Sequence, residues 1–293
     1  MVMLGGACGG GDDGPKIRWI PVGQDPTDVV TAYGAVWVVT GAGIGRVDPE
    51  TNALALKQYI ATDEGPDGIA AGGNRIWVSH TLGGSVVGID PNTNKPVERI
   101  KVVSRATDVA YGEGGVWVSL GPTHKVQRVD PVTQRASRPI SVGLGPAGLA
   151  AGEGAVWVPN QFDYTVSRID PATNKVVATI KVGIQPTDVA IGEGSIWVTN
   201  SNASSVSRID PKTNRVIATI KLEGRNPSDV AIGLGAVWVS QTDSKTLARI
   251  DPEDNEQTDE IPLSHDAPVD IAVGFDQIWM PIGDSSLLMH VNP

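Results

Sequence analysis

The chain has 293 residues, with 33 Asp and Glu against 23 Lys and Arg for a formal net charge of -10. No basic run or stripe is present to neutralise phosphates, so nucleic acid is excluded as a partner. No apolar run approaches the ~18–20 residues that a membrane-spanning helix needs.

At the N-terminus, residues 1–16 form a Gly-rich, low-complexity tether outside the fold. Cys8 is the only cysteine, so no intrachain disulfide is available. Small residues before Cys8 and glycines after it resemble the end of a bacterial lipoprotein signal. That resemblance implies a lipid anchor at Cys8 and an extracytoplasmic location, at the cell surface or in the periplasm. The stretch before Cys8 departs from it, having no Lys or Arg and only seven residues. The alternative is an unstructured tail with an idle thiol.

Residues 17–293 repeat one unit. In residues 186–222, PTDVAIGEGSIWVTNSNASSVSRIDPKTNRVIATIKL, four short apolar runs are separated by Gly-x-Gly, a polar loop and Asp-Pro-x-Thr-Asn. That is a four-stranded antiparallel meander. Its strands are nearly continuous in Val, Ile and Ala, which calls for cover on both faces. Copies supply it: Trp37, Trp77, Trp117, Trp157, Trp197, Trp238 and Trp279 recur at spacings of 40, 40, 40, 40, 41 and 41 residues. A period near forty with four strands per unit predicts an all-β, seven-bladed β-propeller. Helical arrays of that period need longer 3.6-residue patterns than any run here. The first segment, residues 17–22, aligns with the outermost strand of a unit, and the seventh unit stops at Pro293 where that strand is due. The N-terminal strand is therefore expected to pair into the last blade and close the ring. A monomer is expected.

Turn chemistry divides the two rims. Gly34, Asn74, Gly114, Gly154, Gly194, Gly235 or Asp276 ends the turn between first and second strands, predicting a hairpin whose last position is left-handed. Asp-Pro-x-Thr-Asn, complete at Asp48, Asp90, Asp170 and Asp210 and varied at Asp130 and Asp251, predicts a type I turn whose carboxylate receives turn amides. Both turns fall on one rim. The loops before the first strand and after the second fall on the other, where the units differ, so a small-molecule or protein partner is expected there.

Units such as Ile196-Trp197-Val198-Thr199-Asn200 followed by Val206-Ser207-Arg208-Ile209-Asp210 resemble the YVTN-type β-propellers and the related streptogramin (virginiamycin B) lyase-like family across residues 17–293. The resemblance implies the propeller fold. For function it implies either a binding or scaffold role or, for a lyase-like chain, elimination on a lactone ester by a catalytic His with acidic, magnesium-binding partners. Here the positions after the Trp motif hold Thr40, His80, Leu120, Asn160, Asn200, Gln241 and Ile282, and no matching His and Glu cluster can be assigned.

Two candidate sites follow. His80, His124, Asn160, Phe162 and Tyr164 fall in loops of blades two to four and form the expected ligand-binding sector, because large aromatics on a loop have no core of their own to fill. The histidines, with His265 in the loop entering blade seven, are either proton-transfer or metal-binding groups or simply surface side chains. Asp28, Asp108, Asp188, Asp229 and Asp270 begin innermost strands at the channel mouth. They either hold calcium or magnesium or accept local backbone amides. The fold itself requires no cofactor.

Overall fold

The computed structural model describes residues 15–263, 267–283 and 285–293; Cys8, His265 and the tether up to Gly14 lie outside the described residues. Among those described, seven antiparallel sheets stand around one axis. Blade five shows the repeat in full, with strands Pro186–Gly192, Ser195–Asn200, Ser205–Asp210 and Arg215–Lys221 in sequential order. Blade one keeps only Ala53–Leu54 of its outer strand, and blade three breaks its own into Arg135–Ala136 and Ile140–Ser141, the latter just after Pro139, which lacks a ladder N–H.

The ring closes through the N-terminus. Lys16–Pro21 pairs antiparallel with Leu287–Asn292, from Lys16 opposite Asn292 to Pro21 opposite Leu287, and the Val22 N–H extends the ladder to Ser286 O at 2.9 Å. Ile20 and Val22 then pack with Trp279 and Leu288 of blade seven and with Val29, Val36 and Val38 of blade one. The first and last segments of the chain thus share one core.

Each repeated Trp is fully or almost fully buried, and its indole N–H donates at 3.0–3.1 Å to the carbonyl five residues earlier, at the end of the first strand. Burying an aromatic of ~150–250 Å² at ~25 cal/mol per Å² stabilises by an upper estimate of about 4–6 kcal/mol. The cover is inter-blade: Trp157 of blade four packs with Val189, Ile196 and Val198 of blade five. Arg46, Arg128, Arg168, Arg208 and Arg249 lie over the Trp of their own blade at 4.7–6.0 Å. In blade seven His290 takes that place, stacked on Trp279 at 4.8 Å.

The hairpin turns differ in one respect from the expectation. Both central residues are left-handed, as in Glu193 (φ 50°) with Gly194 (φ 62°) and Phe275 with Asp276 (both φ 57°), which makes type I′ turns. That geometry matches the right-handed twist of the flanking strands, whereas a type II turn, left-handed only at its last central residue, would splay them. The Asp-Pro turns form as expected: Asp210 Oδ1 accepts the Lys212 N–H at 2.8 Å, and Asn214 N–H returns to Asp210 O at 2.9 Å. Amide bonds from Lys212 and a hydroxyl bond from Thr213 hold the Asp210 carboxyl below its usual range.

Candidate functional site: the axial mouth and the loop rim

The first strands line the axis, and their opening residues surround a cavity of about 450 Å³ at one end of the channel. Thr27, Asp28, Asp67, Gly68, Thr107, Asp108, Gly148, Thr187, Asp188, Asp229 and Asp270 contribute to it, with Gly121 and Gln161 from neighbouring loops. The five carboxylates expected at the mouth are therefore brought together. Hydrogen bonds of four of them cross blade boundaries. Asp28 accepts its own Val29 N–H at 2.6 Å and the Ile69 N–H of blade two at 2.8 Å. Asp108 likewise joins Val109 (2.7 Å) to Leu149 of blade four (2.9 Å), Asp188 reaches Val230 of blade six at 3.0 Å, and Asp270 reaches Val29 of blade one at 2.8 Å. Asp229 accepts from Ser240 Oγ at 3.2 Å. A Cβ at Gly68 or Gly148, the two positions without Asp, would collide with the Asp108 or Asp188 carboxylate.

Burial raises all five carboxyl pKa values. Asp188 is pushed to about 6, first by burial and then by the charge of Asp270, with the Val230 amide opposing. Asp28, Asp108 and Asp229 are pushed well above the usual carboxylate value by burial, then by the charges of Asp270, Asp188 and Asp270 respectively. Asp270 is raised by burial too, with bonds to Asp28, Ile271 and Val29 opposing. Packing like charges around one axis makes each harder to ionise. Among the described residues, no group of three or more His, Cys, Asp and Glu side chains is arranged to hold a metal ion.

Around the mouth, the loop after the second strand is tied to the loop entering the same blade in blades two, four, five and six. Thr81 N–H donates to Gly65 O, Gln161 to Gly145 O, Ser201 to Gln185 O and Thr242 to Asn226 O, at 2.8–3.1 Å. Each of those acceptor residues is left-handed. The loop tips differ by sector: Leu82, Pro122 and Phe162 on blades two to four, Asn202 and Asp243 on blades five and six.

Of the five residues expected in the ligand sector, Phe162 and Tyr164 are exposed and His124 is half-buried. His124 is left-handed (φ 54°) after the 3-10 turn Gly121–Thr123, and its Nδ1 accepts the Gly145 N–H at 3.1 Å. A neutral ring accepting there carries its proton on Nε2. Phe162, 64% exposed, lies over Gly145, while its own N–H donates to Leu144 O at 3.1 Å; Tyr164 is 44% exposed and Leu144 is also exposed. The other two, His80 and Asn160, are fully enclosed at the ends of their second strands. Asn160 Nδ2 donates to Thr165 Oγ1 and Ser167 Oγ, both at 3.0 Å. Neither ring nitrogen of His80 reaches hydrogen-bonding geometry, and burial holds its pKa below the usual value against the opposing charge of Asp63.

No protein-family model matches the sequence, and no curated protein does. Solved structures do match in fold. Virginiamycin B lyase from Staphylococcus aureus superposes with a TM-score of 0.83 at 14% identity, covering 95% of this chain and 99% of that one. A catalytically inactive variant of the same lyase, solved with quinupristin, gives 0.81 at 14% identity over 95% and 99%. The WD40 β-propeller domain of Doa1 gives 0.75 at 12% identity over 92% and 93%. At these identities the likeness is one of fold, shared by an enzyme and by a WD40 domain.

Proposed function

We propose that the protein is an extracytoplasmic binding module, tethered through Cys8, whose recognition face is the loop rim of blades two to four at the edge of the axial mouth. The observation that supports it most is the step between two consecutive residues: Gln161 lines the acidic mouth, and Phe162 lies exposed beside Leu144 and the loop that His124 holds. A partner matching that step presents an apolar side chain to Phe162, Tyr164 and Leu144 and a cationic group to the carboxylates.

The test is a panel of short peptides carrying one Lys or Arg flanked by Leu or Phe, with acidic and all-polar counterparts, titrated by calorimetry. Basic apolar peptides should bind, and Phe162→Ala with Tyr164→Ala should weaken them at least tenfold with the melting temperature unchanged. Equal binding of acidic peptides, or of the double variant, contradicts the proposal. A second reading, a streptogramin lyase-like enzyme, is favoured by the fold likeness over 95% of the chain. Ring-opening of quinupristin by the purified protein, followed by chromatography, would replace the binding role with that one.

A further inference from the structure

The rim opposite the loop face carries its own pattern, at the first central position of the seven type I′ turns. Blades three, four and five place Glu113, Glu153 and Glu193 there and blade two places Gly73, whereas blades six, seven and one place Leu234, Phe275 and Tyr33. Those three blades are consecutive around the closed ring. All three side chains are exposed, at 40%, 41% and 40%, and all three residues are left-handed, with φ of 55°, 57° and 50°. Bulky residues are outliers in that conformation, where Asn, Asp or Gly would serve the turn better. The three side chains are thus neither required by the turn nor buried in a core. The surface between them is continuous: Leu234 and Asp276 border one groove, Phe275, Asp276 and Gly34 the next.

The chain's own path says what this sector faces. Pro15, the first described residue, borders the groove shared by Leu234, Asp276 and Pro293. The antiparallel register puts Lys16 opposite Asn292, on the hairpin-turn rim, and sends the strand away from it toward Pro21. Cys8 precedes Pro15 by seven residues, which span at most ~25 Å even when fully extended. An anchor at Cys8 therefore leaves the propeller from this rim, the one it brings nearest to the membrane.

We propose that Tyr33, Leu234 and Phe275 make a lipid contact beside the tether, so that the propeller stands with its hairpin turns on the bilayer and its loop rim facing away. The proposal rests on the tethered role argued above. Asp48, Glu50 and Asp276 border the same surface, and the chain as a whole is acidic. The lipid that fits is consequently a zwitterionic surface; anionic headgroups would repel it.

The single cysteine makes the test direct. The full chain is coupled through Cys8 to a maleimide headgroup lipid in phosphatidylcholine vesicles, which supplies the anchor whether or not a cell does. Phe275→Trp, Glu153→Trp and Phe162→Trp are compared for quenching by brominated phosphatidylcholine, each against the signal of the unsubstituted chain and after circular dichroism has confirmed the fold. The expected result is added quenching at Phe275→Trp at least twice that at either other position, reduced when phosphatidylglycerol is included. Equal quenching at the three positions, no added quenching at Phe275→Trp, or stronger quenching at Phe162→Trp overturns the contact. Membrane fractionation of the unsubstituted chain against Cys8→Ala in a bacterial host is the separate test of the anchor.

Discussion

The Arg208 guanidinium lies 4.7 Å from the centre of the Trp197 ring and reaches past its own blade to Asn255 Oδ1 at 2.8 Å and to the Pro252 carbonyl in the Asp-Pro turn of blade six. One side chain thereby caps a buried indole and straps two blades together. Arg128 makes the same crossing to Pro171 O at 2.9 Å, and Arg46 to Asn94 Oδ1 at 3.1 Å. Arg208→Ala should lower stability by about 1–3 kcal/mol, from the lost cation–π contact and charge-assisted hydrogen bonds. Urea unfolding monitored by far-ultraviolet circular dichroism measures it; a change under about 0.5 kcal/mol, typical of a neutral surface substitution, would show that the strap is decorative.

Ring closure gives a second prediction. Removing residues before Pro15 should leave the melting temperature unchanged. Removing residues before Gly23 deletes the strand paired with Leu287–Asn292 and uncovers Trp279 and Leu288, leaving a free sheet edge. That truncation should melt well below the full chain and aggregate on heating. Equal melting temperatures for the two truncations would contradict closure by the N-terminal strand.

The mouth predicts a pH dependence. A carboxyl whose pKa is higher in the folded than in the unfolded chain binds more protons when folded, so its contribution to stability is present below the usual carboxylate pKa and is lost as pH rises. For Asp188 that loss begins near the usual carboxylate value and is complete as pH passes about 6. Stability should thus fall between about pH 4 and pH 6, and Asp188→Asn should flatten part of that slope. His80 acts oppositely: its depressed pKa contributes stability above the usual histidine range, lost as pH falls through the lowered value. Melting temperatures of both proteins between about pH 3.5 and 8 decide it, with identical slopes for the chain and for Asp188→Asn as the contrary result.

The same carboxylates predict how divalent ions act. Because the ring's oxygens already accept the Ile69, Leu149, Val230 and Val29 amides, millimolar calcium or magnesium should leave the melting temperature unchanged. A rise reversed by chelator would show that the ion displaces those bonds and that the ring is a cation site.

The fold was legible because the Trp period is written in sequence spacing and because Asp-Pro-x-Thr-Asn is local turn chemistry. Closure was legible for the same reason, as residues 17–22 match an outer strand. The inter-blade bonds of the carboxylates were not, since three of them span about forty residues to the next blade and Asp270 reaches across the ring closure to Val29. The alternation of Asp28, Gly68, Asp108, Gly148 and Asp188 was their one visible trace. His80 and Asn160 show the limit at the loop rim. In a blade covered on both faces, strand alternation does not separate an exposed strand end from an enclosed one, so two buried side chains were grouped with His124, Phe162 and Tyr164. The left-handed Glu193 was missed because Glu is not a residue that advertises positive φ.

Hydrogen exchange with the tightest-binding basic apolar peptide tests the recognition face most directly. Protection on binding should be confined to the loops of residues 143–147 and 161–164 and to the strand starts around Asp108 and Asp188. Protection centred instead on the type I′ turns of the opposite rim, or spread evenly over the blades, would contradict the assignment of that face.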